Sequence, residues 1–263
     1  MTVAGTLVNS GTITTTGTLI FNSGSTYQHA RDAGTIPTAT WNAASTCLIT
    51  GVTSSTLPGG FSQNFGNLTW NCPGQGTFGN SLANSNYTIT GTLTIINTGS
   101  ATVQLVRGSY TGNVVNFVQT GGTAVIGSSG TSLKTLNVSG SFTLSGGTFN
   151  IDNGTGTNAS ILNLGGNFTQ SGGTFTRTNG SAALSQVYFN GTAIQTFTIS
   201  SGTISGNIDY TINSGSTVDF GTTVLSGSGL FTLSSGGSII TAHTQGLSTT
   251  AATGSIQVTD TKS

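Results

Sequence analysis

The chain has 263 residues, of which 41 are glycine and only 4% are charged, and its formal net charge is zero. This composition argues against nucleic acid and anionic membranes as partners, because both are bound through clustered basic residues. Thr, Ser, Asn and β-branched apolar residues dominate, which favours strands and turns over helices, and no apolar run approaches the roughly 20 residues of a membrane span.

The first predicted strands lie near the start of the chain. A recurring unit begins at Leu7 and again at Leu19, where an apolar residue precedes small or β-branched residues and then Ser, Asn or Gly. Short runs of this kind, bounded by turn residues, are typical of β-strands. We therefore expect strands from the beginning of the chain.

Residues 27–80 differ from the rest of the chain. They contain both tryptophans, both cysteines and all three prolines. We predict an irregular, loop-rich or capping segment here, within a single domain that spans 1–263. Tyr27, Trp41 and Trp70, together with Tyr110 further along, are candidate surface aromatics for stacking on a sugar. The alternative is that these rings fill the core.

The central part of the chain has the clearest repeat. Phe117, Phe142 and Phe168 each open a copy that runs into a Gly-Gly turn, and they are 25 and 26 residues apart. Three short strands and three turns fill about 25 residues, which is one coil of a parallel β-helix. The sequence thus predicts an all-β, right-handed parallel β-helix (β-solenoid) of about ten coils, with the three Phe side chains stacked in a core ladder. An antiparallel sandwich is the alternative, but it has no reason to repeat at this period.

The last third of the chain keeps the unit but loses the even spacing. Weaker copies begin at Phe197, Tyr210 and Phe231, at unequal intervals. We expect loop insertions or shorter coils in this part.

The repeat period suggests a partner for each cysteine. Cys47 and Cys72 are 25 residues apart, so they would occupy equivalent positions on adjacent coils, about 4.8 Å apart. That separation permits a disulfide, which makes the two residues a candidate pair. The alternative is two buried or loop thiols that share a period by chance.

Catalytic chemistry has little support in the sequence. Glycoside hydrolysis needs two carboxyl groups, and the chain has five Asp and no Glu. Neither His29 nor His243 lies beside a nucleophile, and no calcium or zinc motif is present. We predict that the chain is not an enzyme and has no catalytic residues, metal site or cofactor.

Several runs resemble a known group of proteins: Ile36-Pro37-Thr38-Ala39-Thr40-Trp41, Cys47-Leu48-Ile49-Thr50-Gly51, Phe65-Gly66-Asn67-Leu68-Thr69-Trp70-Asn71-Cys72-Pro73-Gly74-Gln75 and Ile89-Thr90-Gly91-Thr92-Leu93-Thr94. They are similar to the repeat regions of large secreted surface adhesins of Bacteroidetes bacteria, which are exported by the type IX secretion system. The resemblance implies an extracellular repeat module on the bacterial cell surface. It carries no catalytic motif.

These observations lead to one principal expectation about function and two alternatives. The principal one is a structural or adhesive stalk of a large cell-surface protein, whose partners are flanking repeats of the same polypeptide. The alternatives are a self-assembling filament subunit, in which copies stack end to end, and a carbohydrate-binding β-helix that contacts surface glycans.

Overall fold

A computed structural model describes residues 1–54, 56–76, 82, 85–128, 132–154, 159–179, 185–247 and 254–261, and for 258–261 the backbone only. The described residues form strands and turns without a helix, and every strand pairing is parallel. The strands stack as a β-solenoid of about nine turns with roughly 24 residues per turn. The predicted fold class is thus confirmed, with slightly fewer coils than the sequence suggested.

The described residues form twenty-four strands, numbered in chain order. They are β1 (Thr2–Val3), β2 (Thr6–Asn9), β3 (Ile20–Phe21), β4 (Thr26–His29), β5 (Thr40–Trp41), β6 (Thr46–Ile49), β7 (Asn64–Phe65), β8 (Asn67–Asn71), β9 (Tyr87–Asn97), β10 (Val103–Gln104), β11 (Thr111–Gln119), β12 (Thr123–Gly127), β13 (Lys134–Val138), β14 (Phe142–Leu144), β15 (Thr148–Asp152), β16 (Ser160–Leu164), β17 (Phe168–Thr176), β18 (Gln186–Phe189), β19 (Ile194–Ser205), β20 (Asp209–Ile212), β21 (Thr217–Asp219), β22 (Leu225–Leu233), β23 (Ser238–Ile240) and β24 (Ile256–Thr261).

One coil in the middle of the rod illustrates how three strands make up each coil. β13, β14 and β15 follow one another, each with a short turn between, and each pairs with the equivalent strand of the coils before and after. We call the three stacks that contain these strands the first, second and third faces. Longer strands such as β11 and β17 run through a corner and belong to two faces.

Inward side chains of the second face form a column along the rod axis. Phe142 pairs in register with Phe117 on one side and Phe168 on the other, and their ring centroids are 4.9 and 5.2 Å apart. Nearly parallel rings at this spacing gain contact energy beyond simple burial. The same register extends the column through nine coils: Leu7, Tyr27, Cys47, Leu68, Leu93, Phe117, Phe142, Phe168 and Phe197.

A second pair of rings closes the core from the third face. Phe149 and Phe175 stack with centroids 5.6 Å apart and an interplanar angle of 3°. The edge of the Phe149 ring meets Phe142 at 4.9 Å, and Phe175 meets Phe168 in the same way at 5.2 Å. Two columns of Phe at right angles therefore fill the interior of the middle coils.

The corner between the second and third faces requires glycine. Gly122, Gly147 and Gly173 precede paired residues of adjacent coils and have φ values between +64° and +73°, a region that L side chains avoid. A Cβ on Gly147 would lie 2.2 Å from the carbonyl oxygen of Gly122. The repeated Gly-Gly of the sequence is thus a stacked left-handed turn.

Asparagines link successive coils where strands begin. The Oδ1 atoms of Asn67, Asn116 and Asn167 accept hydrogen bonds from the backbone N–H of the equivalent residue one coil later, at 2.8–2.9 Å. Each bond satisfies a donor at a bend in the chain, where the regular ladder is interrupted. The Asn side chains therefore help to hold the corner between the first and second faces.

Coil length varies along the chain. It is 20 residues from Thr6 to Thr26 and again to Thr46, 26 from Phe142 to Phe168, and 29 from Phe168 to Phe197. The intervals between Phe197, Tyr210 and Phe231 are uneven because these residues lie on different faces. Phe197 belongs to the second-face column, whereas Tyr210 and Phe231 belong to a column of the first face. That column continues from Leu136, Leu162 and Val187.

The segment 27–80, predicted to be irregular, loop-rich or capping, contains both loops and stacked strands. Its described residues between Ile49 and Asn64 form no strand, but β4, β6 and β8 continue the stack of the second face in register. Its aromatic residues replace the Phe residues of later coils as core filling. Residue 55 and residues 77–80 lie outside the described part.

Candidate functional site

Three of the four predicted surface aromatics lie in the core, so that interpretation was wrong for them. Tyr27 and Trp70 are fully buried, and Trp41 stacks on Phe21 with centroids 4.3 Å apart. Each occupies an inward position of its strand, and the indole N–H groups of Trp41 and Trp70 are satisfied by Gln63 and Gln75. They therefore cannot stack on a ligand at the surface.

Tyr110 is the predicted aromatic that stays at the surface. It is 39% exposed and precedes the first residue of β11. Its backbone carbonyl accepts the N–H of Thr135, which places Tyr110 at the start of the first face.

The predicted disulfide is also corrected. Cys47 and Cys72 are both buried free thiols. The coils here have 20 or 21 residues, so the register pairs Cys47 with Leu68, and Cys72 is four residues further along the chain. Four residues of strand span roughly 13 Å, well beyond the reach of a disulfide. Burial raises the pKa of Cys72 to about 11 and that of Cys47 well above its usual value.

A polar cluster inside the rod is the nearest approach to a catalytic arrangement. Asp152 is fully buried and accepts hydrogen bonds from the hydroxyls of Ser160 and Ser185 at 3.4 and 3.3 Å. Lys134 is 1% exposed, and its Nζ donates to the carbonyl of Ser132. Burial lowers the pKa of Lys134, while Asp152 acts in the opposite direction. Because the cluster is enclosed, we interpret it as structural.

Within the described ranges, no group of three or more His, Cys, Asp or Glu residues could hold a metal ion. The same part of the molecule contains no helix that is long and apolar enough to cross a membrane.

The most distinctive surface feature is a ladder of asparagine side chains on the first face. Asn113, Asn137 and Asn163 pair in register on successive coils and point outward, between buried neighbours. The Asn137 amide donates to Asn113 Oδ1 at 2.8 Å, and the Asn163 amide donates to Asn137 Oδ1 at 2.7 Å. An amide has two N–H donors and an oxygen with two lone pairs, so each residue can bond its neighbour and still bind a ligand.

The ladder lies in a shallow groove that runs along the rod axis. Two concavities meet at Asn137 and Ser139. One is lined by Thr88, Ile89, Thr90, Asn113, Val114, Val115, Asn137 and Ser139, and the other by Asn137, Val138, Ser139, Asn163, Gly165, Asn190, Gly191 and Thr192. None of these residues is charged. The groove therefore offers amides, hydroxyls and backbone groups to a ligand, without a fixed charge.

An aromatic ring follows the ladder at its far end. Tyr188 pairs in register with Asn163 on the next coil, in the same outward column, and its side chain is half-buried. Sequence reasoning missed this site. Asn137-Val138-Ser139 and Asn163-Leu164-Gly165 occupy matching positions of the repeat, but the repeat alone does not say that the two Asn face outward.

A comparison of the chain with protein-family models, with curated proteins and with solved structures finds no match.

Proposed function

We propose that the chain is a structural and adhesive module, a stalk, within a large protein of the bacterial cell surface. The observation that supports this most is the unbroken register of the second-face column, which spans nine coils from Leu7 to Phe197. Hydrogen bonds between successive coils run along the rod axis and resist extension. About nine coils at about 4.8 Å each give a rod roughly 40 Å long.

The distribution of charge supports an extracellular role. Lys134, Asp152, Arg177 and Asp209, four of the ten charged residues, are buried, so few fixed charges face solvent. Interactions between exposed charges weaken as salt rises, because ions screen them. A rod held by backbone hydrogen bonds and aromatic packing keeps its stability over a wide range of salt concentrations.

The proposed export route rests on the resemblance described above. The runs 36–41, 47–51 and 65–75 resemble repeat regions of Bacteroidetes surface adhesins, and we propose type IX secretion for this chain on that basis. These runs contribute Trp41, Phe65 and Trp70 to the core.

Two measurements test the proposal. Negative-stain electron microscopy of the purified chain should show separate short rods, whereas long uniform fibres would replace the stalk with a filament subunit. Antibodies raised against the chain should label intact cells of the source organism. Labelling only after the cells are made permeable would contradict a surface location.

A further inference from the structure

We propose that the groove along the asparagine ladder binds an uncharged polysaccharide whose chain runs parallel to the rod axis. This inference goes beyond the stalk role, because a rod needs no ligand to act as a spacer. It assigns a site to the first face, away from the buried aromatics that the sequence had suggested.

The direction of the groove carries the first step. Asn113, Asn137 and Asn163 repeat once per coil, so their amides recur about every 4.8 Å along the axis. This interval is close to the length that one hexose ring adds to an extended polysaccharide. Successive sugar rings of such a chain therefore meet the same donors and acceptors on successive coils.

The chemistry of the lining carries the second step. Amides and hydroxyls can each donate and accept, which matches the hydroxyl groups of sugars. Because the ladder bonds already orient the amides of Asn137 and Asn163, binding costs little side-chain entropy. No lining residue has a charge that would select an anionic polymer.

The aromatic residue at the end of the ladder carries the third step. Tyr188 lies one coil beyond Asn163 in the same outward column, next to the residues that line the two concavities, and its side chain is half-buried. Sugar rings have apolar C–H faces that pack on aromatic rings, and such an amphipathic ring is common at binding surfaces. The proposal therefore places a stacking contact for the polysaccharide at Tyr188, at the end of the groove.

The experiment is native affinity electrophoresis of the whole chain in gels that contain dextran, mannan, xyloglucan or mixed-linkage β-glucan, with alginate as the anionic comparison. At least one uncharged polymer should retard the protein. A triple variant (Asn137→Ala, Asn163→Ala and Tyr188→Ala) should bind that polymer at least about tenfold more weakly, a loss that corresponds to about 1.4 kcal/mol.

A matched control has three outward residues of the second face changed instead: Thr143→Ala, Thr169→Ala and Thr198→Ala. These changes should leave retardation intact. If circular dichroism shows that the triple groove variant does not fold, Ser139→Leu replaces it. Ser139 is exposed and lines both concavities, and its substitution leaves the three Asn side chains of the ladder in place. It should reduce binding to a similar extent.

Three results would overturn the proposal: no retardation by any of the four uncharged polymers, retardation by alginate alone, or undiminished binding by a folded groove variant. None of them bears on the stalk, which microscopy and cell labelling test separately.

Discussion

The phenol oxygen of Tyr27 lies 2.9 Å from Nδ1 of His29, and both side chains are fully buried. Nε2 of His29 is 2.7 Å from the carbonyl oxygen of Ala33, which can only accept, so Nε2 carries the proton. Nδ1 then accepts from the Tyr27 hydroxyl, whose oxygen accepts in turn from the Asn9 amide at 2.8 Å. This chain of bonds requires a neutral imidazole.

Stability should therefore decrease as the solution becomes mildly acidic. Burial, and to a smaller degree Arg31, lowers the pKa of His29, although the bond to Ala33 opposes them. The unfolded chain then binds a proton more readily than the folded chain, so stability is lost as pH falls through the unfolded pKa of about 6.5. We expect a lower Tm at about pH 5 than at about pH 7.5.

A His29→Gln variant provides the control for this prediction, because it removes the titrating group. Asp32 does not interfere in this range, since hydrogen bonds from the backbone N–H groups of Thr53 and Ser54 lower its pKa to about 2. A variant whose Tm changes with pH as much as that of the parent would contradict the role of His29.

Removing one ring from the Phe column should cost much of the rod's stability. Phe142 contacts four other rings: Phe117, Phe149, Phe168 and Phe175. Phe142→Ala should lower the free energy of unfolding by about 3–5 kcal/mol, because the cavity cannot collapse between two fixed coils. Urea unfolding followed by circular dichroism measures this, with Phe142→Leu as the milder comparison. Equal midpoints for the parent and Phe142→Ala would refute the ladder as a source of stability.

Alanine substitution at two glycines distinguishes the cost of a left-handed backbone conformation from the cost of a steric clash with the adjacent coil. Gly147 and Gly215 have φ values of +73° and +81°, but only at Gly147 would a Cβ meet backbone atoms, whereas at Gly215 nothing lies within 4 Å. Gly215→Ala should cost about 1–2 kcal/mol through the left-handed conformation alone. Gly147→Ala should cost clearly more, because adjacent coils must move apart. Similar losses in thermal or urea unfolding would show that stacking does not restrict this corner.

The two thiols should not react with a thiol reagent in the folded protein, and both should react after unfolding. Cys47 and Cys72 are buried, and their raised pKa values keep them protonated at neutral pH, whereas thiol reagents attack the thiolate. Ellman's reagent should find almost no reactive thiol in the native chain and two per chain in guanidinium chloride without reductant. Finding none after unfolding would indicate the disulfide that the register forbids.

The predicted and observed structures agree best where the repeat is regular. Phe117, Phe142 and Phe168 could be assigned to one column because the same residue type recurs at nearly the same interval, with the same Gly-Gly turn after each. The agreement failed where coil length changes. Cys47 and Cys72 match the period of the middle coils, but the coils around them are four to five residues shorter.

Which way a side chain faces was the second point that sequence reasoning could not decide. In a strand, neighbouring residues face opposite sides, so an error of one residue exchanges core and surface. The sequence is compatible with Trp41 and Trp70 at the surface or in the core, because aromatic residues occur in both places. Asn137 and Asn163 occupy matching positions of the repeat, but the repeat does not tell that they face outward.

The amino-acid sequence by itself determined the class of fold and the Phe column of the middle coils. Repeated apolar residues between Gly, Ser and Asn turns favour strands over helices, and the period of the repeat stacks those strands in parallel coils. The tertiary structure decided which residues meet. The register depends on the length of each coil, because each coil must return its apolar residues to the core above those of the coil before it. For this reason only the folded chain separates Cys47 from Cys72 and aligns Asn113, Asn137 and Asn163 along one groove.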